Sequence, residues 1–210
     1  MVGYRSTGSR RWTMAILLAV CGLSSDGTLA RTSPPARGTP SVGDKAADFT
    51  LRALDSATVQ LSKEVAKGDP IVLVVLRGWP GYQCPFCTRQ FGDYAANAKR
   101  FEDSGARVFF IYPGPGEGLR EHAETFTASR TMSKAFRVLL DPDYAYTNAY
   151  GLRWNAPQET AYPSTFVVDG NGVVTFAQTS QTHGDRVTAE TVLGVVARMS
   201  QVPRVRESWP

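Results

Sequence analysis

Residues 71–90 read IVLVVLRGWPGYQCPFCTRQ. The run of β-branched residues and leucine over Ile71–Leu76 is typical of a central strand that is covered on both faces. Cys84 and Cys87 follow that run, three positions apart. Pro85 between them suits the first turn of a helix, because its missing N–H leaves no helical hydrogen bond unmade. The stretch therefore predicts a strand that leads into a helix with a cysteine pair at its start.

The chain around this stretch alternates between strand and helix patterns. Apolar residues at helical spacing predict one helix over residues 85–104, which Gly105 ends. Further strands are predicted over 108–112, 138–141, 165–168 and 173–177, and further helices over 119–129, 144–150 and 188–199. The turn sequence DGNG at 169–172 predicts a hairpin between the last two strands. These elements indicate an α/β protein, a three-layer α/β/α sandwich with a mixed central sheet.

The N-terminal residues have the composition of an export signal. Three arginines precede the apolar residues 14–20, and small residues at 28–30 resemble a cleavage site. We therefore predict an export signal over 1–30, a flexible linker over 31–40, the folded domain over 41–200 and a C-terminal tail over 201–210. An exported protein of a bacterial periplasm or cell envelope is the expected localisation. A partial twin-arginine signal, a lipid anchor at Cys21 and a buried N-terminal helix remain open as alternatives.

The charge distribution argues against nucleic acid as a partner. The formal net charge is +4, but outside residues 1–30 the 20 basic and 18 acidic residues nearly balance. No cluster of Lys and Arg stands in that part of the sequence. Contact with a membrane is expected only through lipidation of Cys21.

The cysteine pair has four chemical interpretations. A zinc site needs four ligands, and His122 and His183 do not have the spacing of a second ligand pair. Covalent haem attachment needs His directly after Cys87, where Thr88 stands. A structural disulfide would close too short a loop to stabilise much. A redox pair is favoured because a thiol at a helix N-terminus is readily ionised, and we expect no metal or organic cofactor.

Two further segments carry a resemblance to a known family. Residues 42–51, VGDKAADFTL, resemble the V-G-x-x-A-P-D-F-x-L segment that peroxiredoxins share with exported thioredoxin-like reductases, with Ala47 in place of the usual proline. Residues 162–169, YPSTFVVD, resemble a P-x-T-F segment in which the proline is typically cis and faces the cysteines. From 42 to about 197 the chain resembles the thioredoxin-fold superfamily in its peroxiredoxin-like branch, the alkyl hydroperoxide reductase/thiol-specific antioxidant (redoxin) group.

The resemblance implies roles for individual residues. Peroxiredoxins carry P-x-x-x-T-x-x-C, and the spacing from Pro80 puts Cys84 in the threonine position. Cys87 would then attack the peroxide and Cys84 would resolve it. The residues expected to bind substrate are Trp79, Pro80, Pro163 and Thr165. The family usually places a peroxide-polarising arginine where this chain has Pro163, so the guanidinium would come from elsewhere: Arg77, Arg89, Arg153 or Arg186.

The function expected from this resemblance is reduction of hydroperoxides by a CxxC pair that cycles between dithiol and disulfide. An external thiol reductant, such as a thioredoxin-like protein, would restore the pair. One alternative is an exported thiol–disulfide reductase of protein disulfides, in which Cys84 attacks first and Pro163 shapes the docking loop. The other is a non-catalytic thioredoxin-fold binding module with a structural disulfide.

Overall fold

The computed structural model describes residues 38–201. The predicted export signal, Cys21, most of the predicted linker and nearly all of the predicted tail lie outside the described residues. Within the described range, no helix combines the length and the apolar character needed to cross a membrane.

A seven-stranded mixed sheet forms the centre of the described region, in the order β2-β1-β5-β4-β3-β6-β7. Its strands are β1 Thr50–Ala53, β2 Thr58–Gln60, β3 Ile71–Val75, β4 Arg107–Gly114, β5 Phe136–Pro142, β6 Ser164–Val168 and β7 Val174–Thr179. The central strands β3, β4 and β5 are parallel. The predicted hairpin is confirmed, because β6 pairs antiparallel with β7.

Helices cover both faces of the sheet. They are α1 Leu61–Val65, α2 Pro85–Ala96, α3 Ala98–Ser104, α4 Leu119–Thr127, α5 Ala145–Ala149 and α6 Ala189–Met199. The first core cluster joins one sheet face to α2, α3, α4 and α6. The second joins the opposite face to α1 and α5. The predicted three-layer α/β/α sandwich with a mixed central sheet is therefore confirmed.

Strand β3 contributes to both core clusters because successive side chains of a strand point to opposite faces. Val72 and Val74 pack on the side of α2, whereas Ile71, Leu73 and Val75 pack on the side of α1. All five are 0% exposed, and burial of each such side chain contributes about 1.5–3 kcal/mol. The prediction of a strand covered on both faces is confirmed.

Two parts of the fold differ from the sequence-based prediction. The single helix predicted over 85–104 is two helices, interrupted at Asn97, whose side-chain amide donates to the carbonyl oxygen of Asp93. Asparagine competes with helical hydrogen bonding in this way. The strands β1 and β2 and helix α1 were not predicted, because they span only 4, 3 and 5 residues and show too few periods of any pattern.

Sheet pairing brings distant loops together beside the cysteines. Since β6 is antiparallel to β3, its first residue, Ser164, pairs with the last residue of β3, Val75. The segment before β6 therefore lies next to the segment after β3. The parallel strand β4 ends at the same edge, where the carbonyl oxygen of Pro113 accepts from Trp79 N at 2.9 Å.

Candidate active site

The cysteine pair lies at the N-terminus of α2. Cys84 is the N-cap residue, Pro85 is in the first turn and Cys87 lies inside the helix. Both cysteines are free thiols. Their exposed fractions are 0% and 1%, respectively. Because the unpaired N–H groups of a helix N-terminus favour an anion, the fold places the pair where a thiolate is stabilised.

The two thiols differ in acidity. The hydrogen bond from the thiol of Cys87 lowers the pKa of Cys84 to about 5, with help from the backbone of Cys87 and from Arg186 and Arg77, against the effect of burial. Burial raises the pKa of Cys87 well above its ordinary value, and the hydrogen bond to Cys84 raises it further. This arrangement favours the thiolate on Cys84. This order is the reverse of the one that the spacing from Pro80 suggests.

Arg77 is the guanidinium that lies against the thiolate. Its side chain is almost completely buried, and Nη1 donates to the Sγ of Cys84 at 3.9 Å and to the hydroxyl of Tyr82 at 2.9 Å. Its backbone N donates to the Sγ of Cys87 at 3.3 Å. One residue therefore contacts both sulfur atoms, through its side chain and its main chain respectively.

The structure ranks the four arginines that the sequence left open. Arg186 lies in the loop before α6, where Nη1 donates to Gln90 Oε1 at 2.9 Å, and its charge lowers the pKa of both cysteines. Arg89 lies over the ring of Phe86. Arg153 donates to the carbonyl oxygen of Trp154 at 2.7 Å and lies over the ring of Tyr144. Arg77 is the one with a hydrogen bond to a cysteine sulfur.

A carboxylate binds Arg77, and a histidine lies against that carboxylate. Glu159 Oε2 accepts from Arg77 Nε at 2.8 Å, and His183 Nε2 lies 2.9 Å from Glu159 Oε1. The ring of His183 also packs against Phe86, with the ring centroids 6.0 Å apart. Sequence reasoning missed Glu159. The available signal was Arg77 itself, since an arginine directly after a buried strand needs an acidic partner.

Trp79 and Pro80 lie in the loop between β3 and α2. The ring of Trp79 stacks on His122 of α4, with centroids 3.6 Å apart. Gln83 Nε2 donates to the carbonyl oxygen of His122 at 2.7 Å. Trp79 and Pro80 are half-buried. The loop that carries Trp79 and Pro80 is therefore held against α4.

Pro163 and Thr165 are buried at the start of β6. They line a small depression that also contains Gln90 and Arg186. The described range contains no cis peptide bond. The bond before Pro163 is therefore trans, which corrects the cis geometry that the resemblance implied. Trans is the lower-energy isomer of an X–Pro bond.

The chain is similar in sequence to a known protein family. The model of the AhpC/TSA family matches residues 42–177. A putative chloroplastic peroxiredoxin Q of Oryza sativa subsp. indica is 28% identical over 74% of this chain and 66% of its own length. A putative peroxiredoxin of Mycobacterium tuberculosis is 30% identical over 65% of this chain and 83% of its own length.

The fold has solved counterparts. The crystal structure of peroxidoxin BcpB from Mycobacterium tuberculosis superposes with a TM-score of 0.59 at 21% identity, covering 75% of this chain and 97% of that one. At this identity the likeness speaks for the fold. The family match extends from the segment at residue 42 through the cysteine pair to β7 and confirms the resemblance found in the sequence. The chain thus belongs to the AhpC/TSA family, as a peroxiredoxin-like protein of thioredoxin fold.

Proposed function

We propose that the protein is a thiol peroxidase that reduces hydroperoxides with the Cys84–Cys87 pair. The observation that carries the proposal is the contact between the low-pKa thiol of Cys84 and the buried guanidinium of Arg77. A thiolate at a helix N-terminus is the nucleophile that peroxide attack requires. Membership of the AhpC/TSA family supports the same chemistry.

The proposed cycle has three steps. The Cys84 thiolate attacks the terminal oxygen of the peroxide and the O–O bond breaks. Cys84 becomes a sulfenic acid, and the other oxygen takes a proton from solvent and leaves as the alcohol, or as water when the substrate is hydrogen peroxide. The Cys87 thiol then attacks the sulfenic sulfur, which forms the Cys84–Cys87 disulfide and releases water. An external dithiol, such as a thioredoxin-like protein, reduces the disulfide by exchange and is itself oxidised.

The assignment of first attack to Cys84 rests on acidity. Burial raises the pKa of Cys87, which suits the second, resolving attack better than the first attack on the peroxide. The alternative expectation from the Pro80 spacing gives Cys87 the first attack. We favour Cys84 because the guanidinium of Arg77 donates to its sulfur and because its pKa is the lower of the two.

Arg77 is proposed to do the work of the arginine that the family usually places where Pro163 stands. Its Nη1, 3.9 Å from Cys84 Sγ, lies beside the position that the reacting oxygen would occupy. There it would stabilise the negative charge that develops on the leaving oxygen. Cys84 is closed to solvent in the reduced protein, so we propose that a movement of side chains beside it admits substrate.

Trp79, Pro80, Pro163 and Thr165 remain the proposed substrate-binding residues. Export through residues 1–30 is likewise part of the proposal and would place the peroxidase in a bacterial periplasm or cell envelope, where a close cysteine pair forms disulfides readily.

A second candidate function is reduction of protein disulfides. The acidity order favours it equally, because an acidic N-terminal cysteine with a buried partner one turn away also suits disulfide exchange. Under this candidate Pro163 would lie in the docking loop for the substrate protein.

One titration separates the two candidates. The reduced chain is mixed with hydrogen peroxide or cumene hydroperoxide, and peroxide loss is followed together with loss of free thiols. The peroxidase proposal predicts one peroxide consumed and two thiols lost per chain. If the peroxide persists while the same chain reduces the disulfides of insulin, the peroxidase proposal is wrong and the reductase candidate replaces it.

A further inference from the structure

The carboxylate of Glu159 uses its two oxygens on two different partners. Oε2 accepts from Arg77 Nε at 2.8 Å, and Oε1 lies 2.9 Å from His183 Nε2. The side chain of Glu159 is 12% exposed. A carboxylate held at both oxygens has a fixed plane, so it can fix the orientation of the planar guanidinium that it binds.

The orientation of Arg77 decides which of its nitrogens reaches the thiolate. Nε is bound by Glu159, and Nη2 donates to the carbonyl oxygen of Gln158 at 2.7 Å. Only Nη1 is then left for Tyr82 and Cys84. Two consecutive residues of the loop before β6 thus hold two of the three guanidinium nitrogens.

The main chain around Glu159 is itself anchored. The hydroxyl of Thr160 donates to the carbonyl oxygen of Arg77, and Arg153 Nη1 donates to the carbonyl oxygen of Glu159 at 3.0 Å. The loop before β6 is therefore tied to Arg77 through the main-chain carbonyl of Arg77 as well as through the ion pair. This rigidity is what a residue needs in order to position another.

We propose that Glu159 is a positioning residue of the redox site: it aims Nη1 of Arg77 at Cys84, and His183 holds it in place. The inference rests on the proposed role of Cys84 as the attacking thiolate. It assigns no contact with substrate to Glu159 or His183.

A positioning role of Glu159 can be distinguished from an effect of its charge alone, because the two predict opposite changes in the pKa of Cys84. Arg77, Arg186 and the Cys87 thiol lower the pKa of Cys84. Burial raises the pKa of Tyr112 on the neighbouring strand β4. The negative charge of Glu159 by itself disfavours a second anion nearby. If Glu159 acted through its charge alone, removing that charge would make Cys84 more acidic.

Two variants separate position from charge. Glu159→Gln keeps the length and the acceptor oxygen but loses the charge, whereas Glu159→Asp keeps the charge but is too short to bridge both partners. The readout is the rate of alkylation of the reduced full chain by iodoacetamide at pH 4.5, below the pKa of about 5 of Cys84, where the thiolate fraction rises or falls with any change of that pKa; the modified cysteine is identified by mass spectrometry. We expect the Glu159→Gln variant to be alkylated at Cys84 within about twofold of the parent rate, and the Glu159→Asp variant about tenfold more slowly than the parent.

Two further variants make the test robust. Glu64→Gln is the matched control, because Glu64 is also buried and is paired with Arg107 and Lys67. It lies on α1, which packs on the sheet face opposite to the cysteines. The substitution should lower stability and leave alkylation unchanged. If Glu159→Asp does not fold, His183→Phe takes its place. This variant keeps a ring beside Phe86 but leaves Oε1 of Glu159 without its histidine partner, and alkylation of Cys84 should be about threefold slower than in the parent.

The proposal is overturned if Asp alkylates as fast as the parent, if Gln is as slow as Asp, or if both variants are faster. Alkylation of Cys87 before Cys84 in the parent would overturn the role of Cys84 and this inference together. Because the readout needs no peroxide, a parent that alkylates at Cys84 but consumes no peroxide would refute the peroxidase proposal alone.

Discussion

At the scale of single residues, the chemistry of the site depends on a buried arginine. Arg77 has a positive charge that would be costly to bury alone, and the ion pair with Glu159 compensates it. The remaining donors go to Tyr82, Gln158 and Cys84. The same contacts that keep Arg77 inside the protein therefore bring its charge to the thiolate.

Replacement of Arg77 by glutamine should raise the pKa of Cys84, because the guanidinium that donates to its sulfur is lost. We expect alkylation of Cys84 at pH 4.5 to slow about tenfold. The free energy of unfolding should fall by about 3 kcal/mol, since Glu159 loses the guanidinium that it binds. Arg89→Gln is the control, as Arg89 lies over Phe86 on the same helix. An unchanged alkylation rate in the Arg77 variant would show that the guanidinium does not stabilise the thiolate.

The sequence was sufficient for the residues whose roles are local. Cys84, Pro85 and Cys87 were predicted at a helix start because the cysteine spacing and the proline specify that geometry within a few positions. The ion pair between Arg77 and Glu159 joins residues 82 positions apart. It depends on the pairing of β3 with β6, which no local pattern encodes.

At the scale of elements, the loop between β3 and α2 is fastened to both of its neighbours. Gln83 Oε1 accepts from the hydroxyl of Tyr112 on β4 at 3.0 Å, and its amide donates to α4. Gly78 has a φ of 62°, and a Cβ there would collide with the carbonyl oxygen of Pro113. The loop is thus packed too closely on β4 to accept a side chain at that position.

Gly78→Ala should destabilise the protein by about 3 kcal/mol or more, because both the left-handed backbone and the collision with Pro113 oppose it. Gly81→Ala in the same loop is the matched control. Gly81 has a φ of 104° but open space around its missing Cβ, so it should cost only about 1 kcal/mol. Urea unfolding of the reduced chains compares the two, and equal losses would contradict the close packing described for Gly78.

Long elements with a clear period could be predicted from the sequence, and short ones could not. Strand β3 and helix α6 carry enough apolar residues to define their faces. The break between α2 and α3 depends on one side-chain hydrogen bond at Asn97, which the apolar spacing does not reveal. The edge strand β2 has three residues and acquires its structure from pairing with β1 rather than from its own pattern.

At the scale of the whole molecule, the acidity of Cys84 couples redox state to stability. A thiol whose pKa is lowered in the folded state stabilises the fold at pH values above its unfolded pKa, and this contribution is lost as the pH falls through the folded value. For Cys84 the window lies between about 5 and its ordinary 9.0. A stabilised reduced form also makes the disulfide a stronger oxidant.

The reduced parent should therefore gain stability over a Cys84→Ser variant as the pH rises. Between pH 5.5 and pH 8 the difference in free energy of unfolding should grow by about 2–3 kcal/mol. Urea unfolding under reducing conditions measures it, and the oxidised parent serves as the control because it has no thiolate. A difference that stays constant or shrinks over this range would contradict a lowered pKa at Cys84.

The central claim, that the Cys84 thiolate attacks peroxide and Cys87 resolves it, is tested most directly by trapping the sulfenic acid. Each single variant, Cys84→Ser and Cys87→Ser, is treated with one equivalent of hydrogen peroxide in the presence of dimedone, and the adduct is mapped by mass spectrometry. We predict an adduct on Cys84 in the Cys87→Ser chain and none in the Cys84→Ser chain. An adduct on Cys87 in the Cys84→Ser chain, with none on Cys84 in the other, would contradict the account.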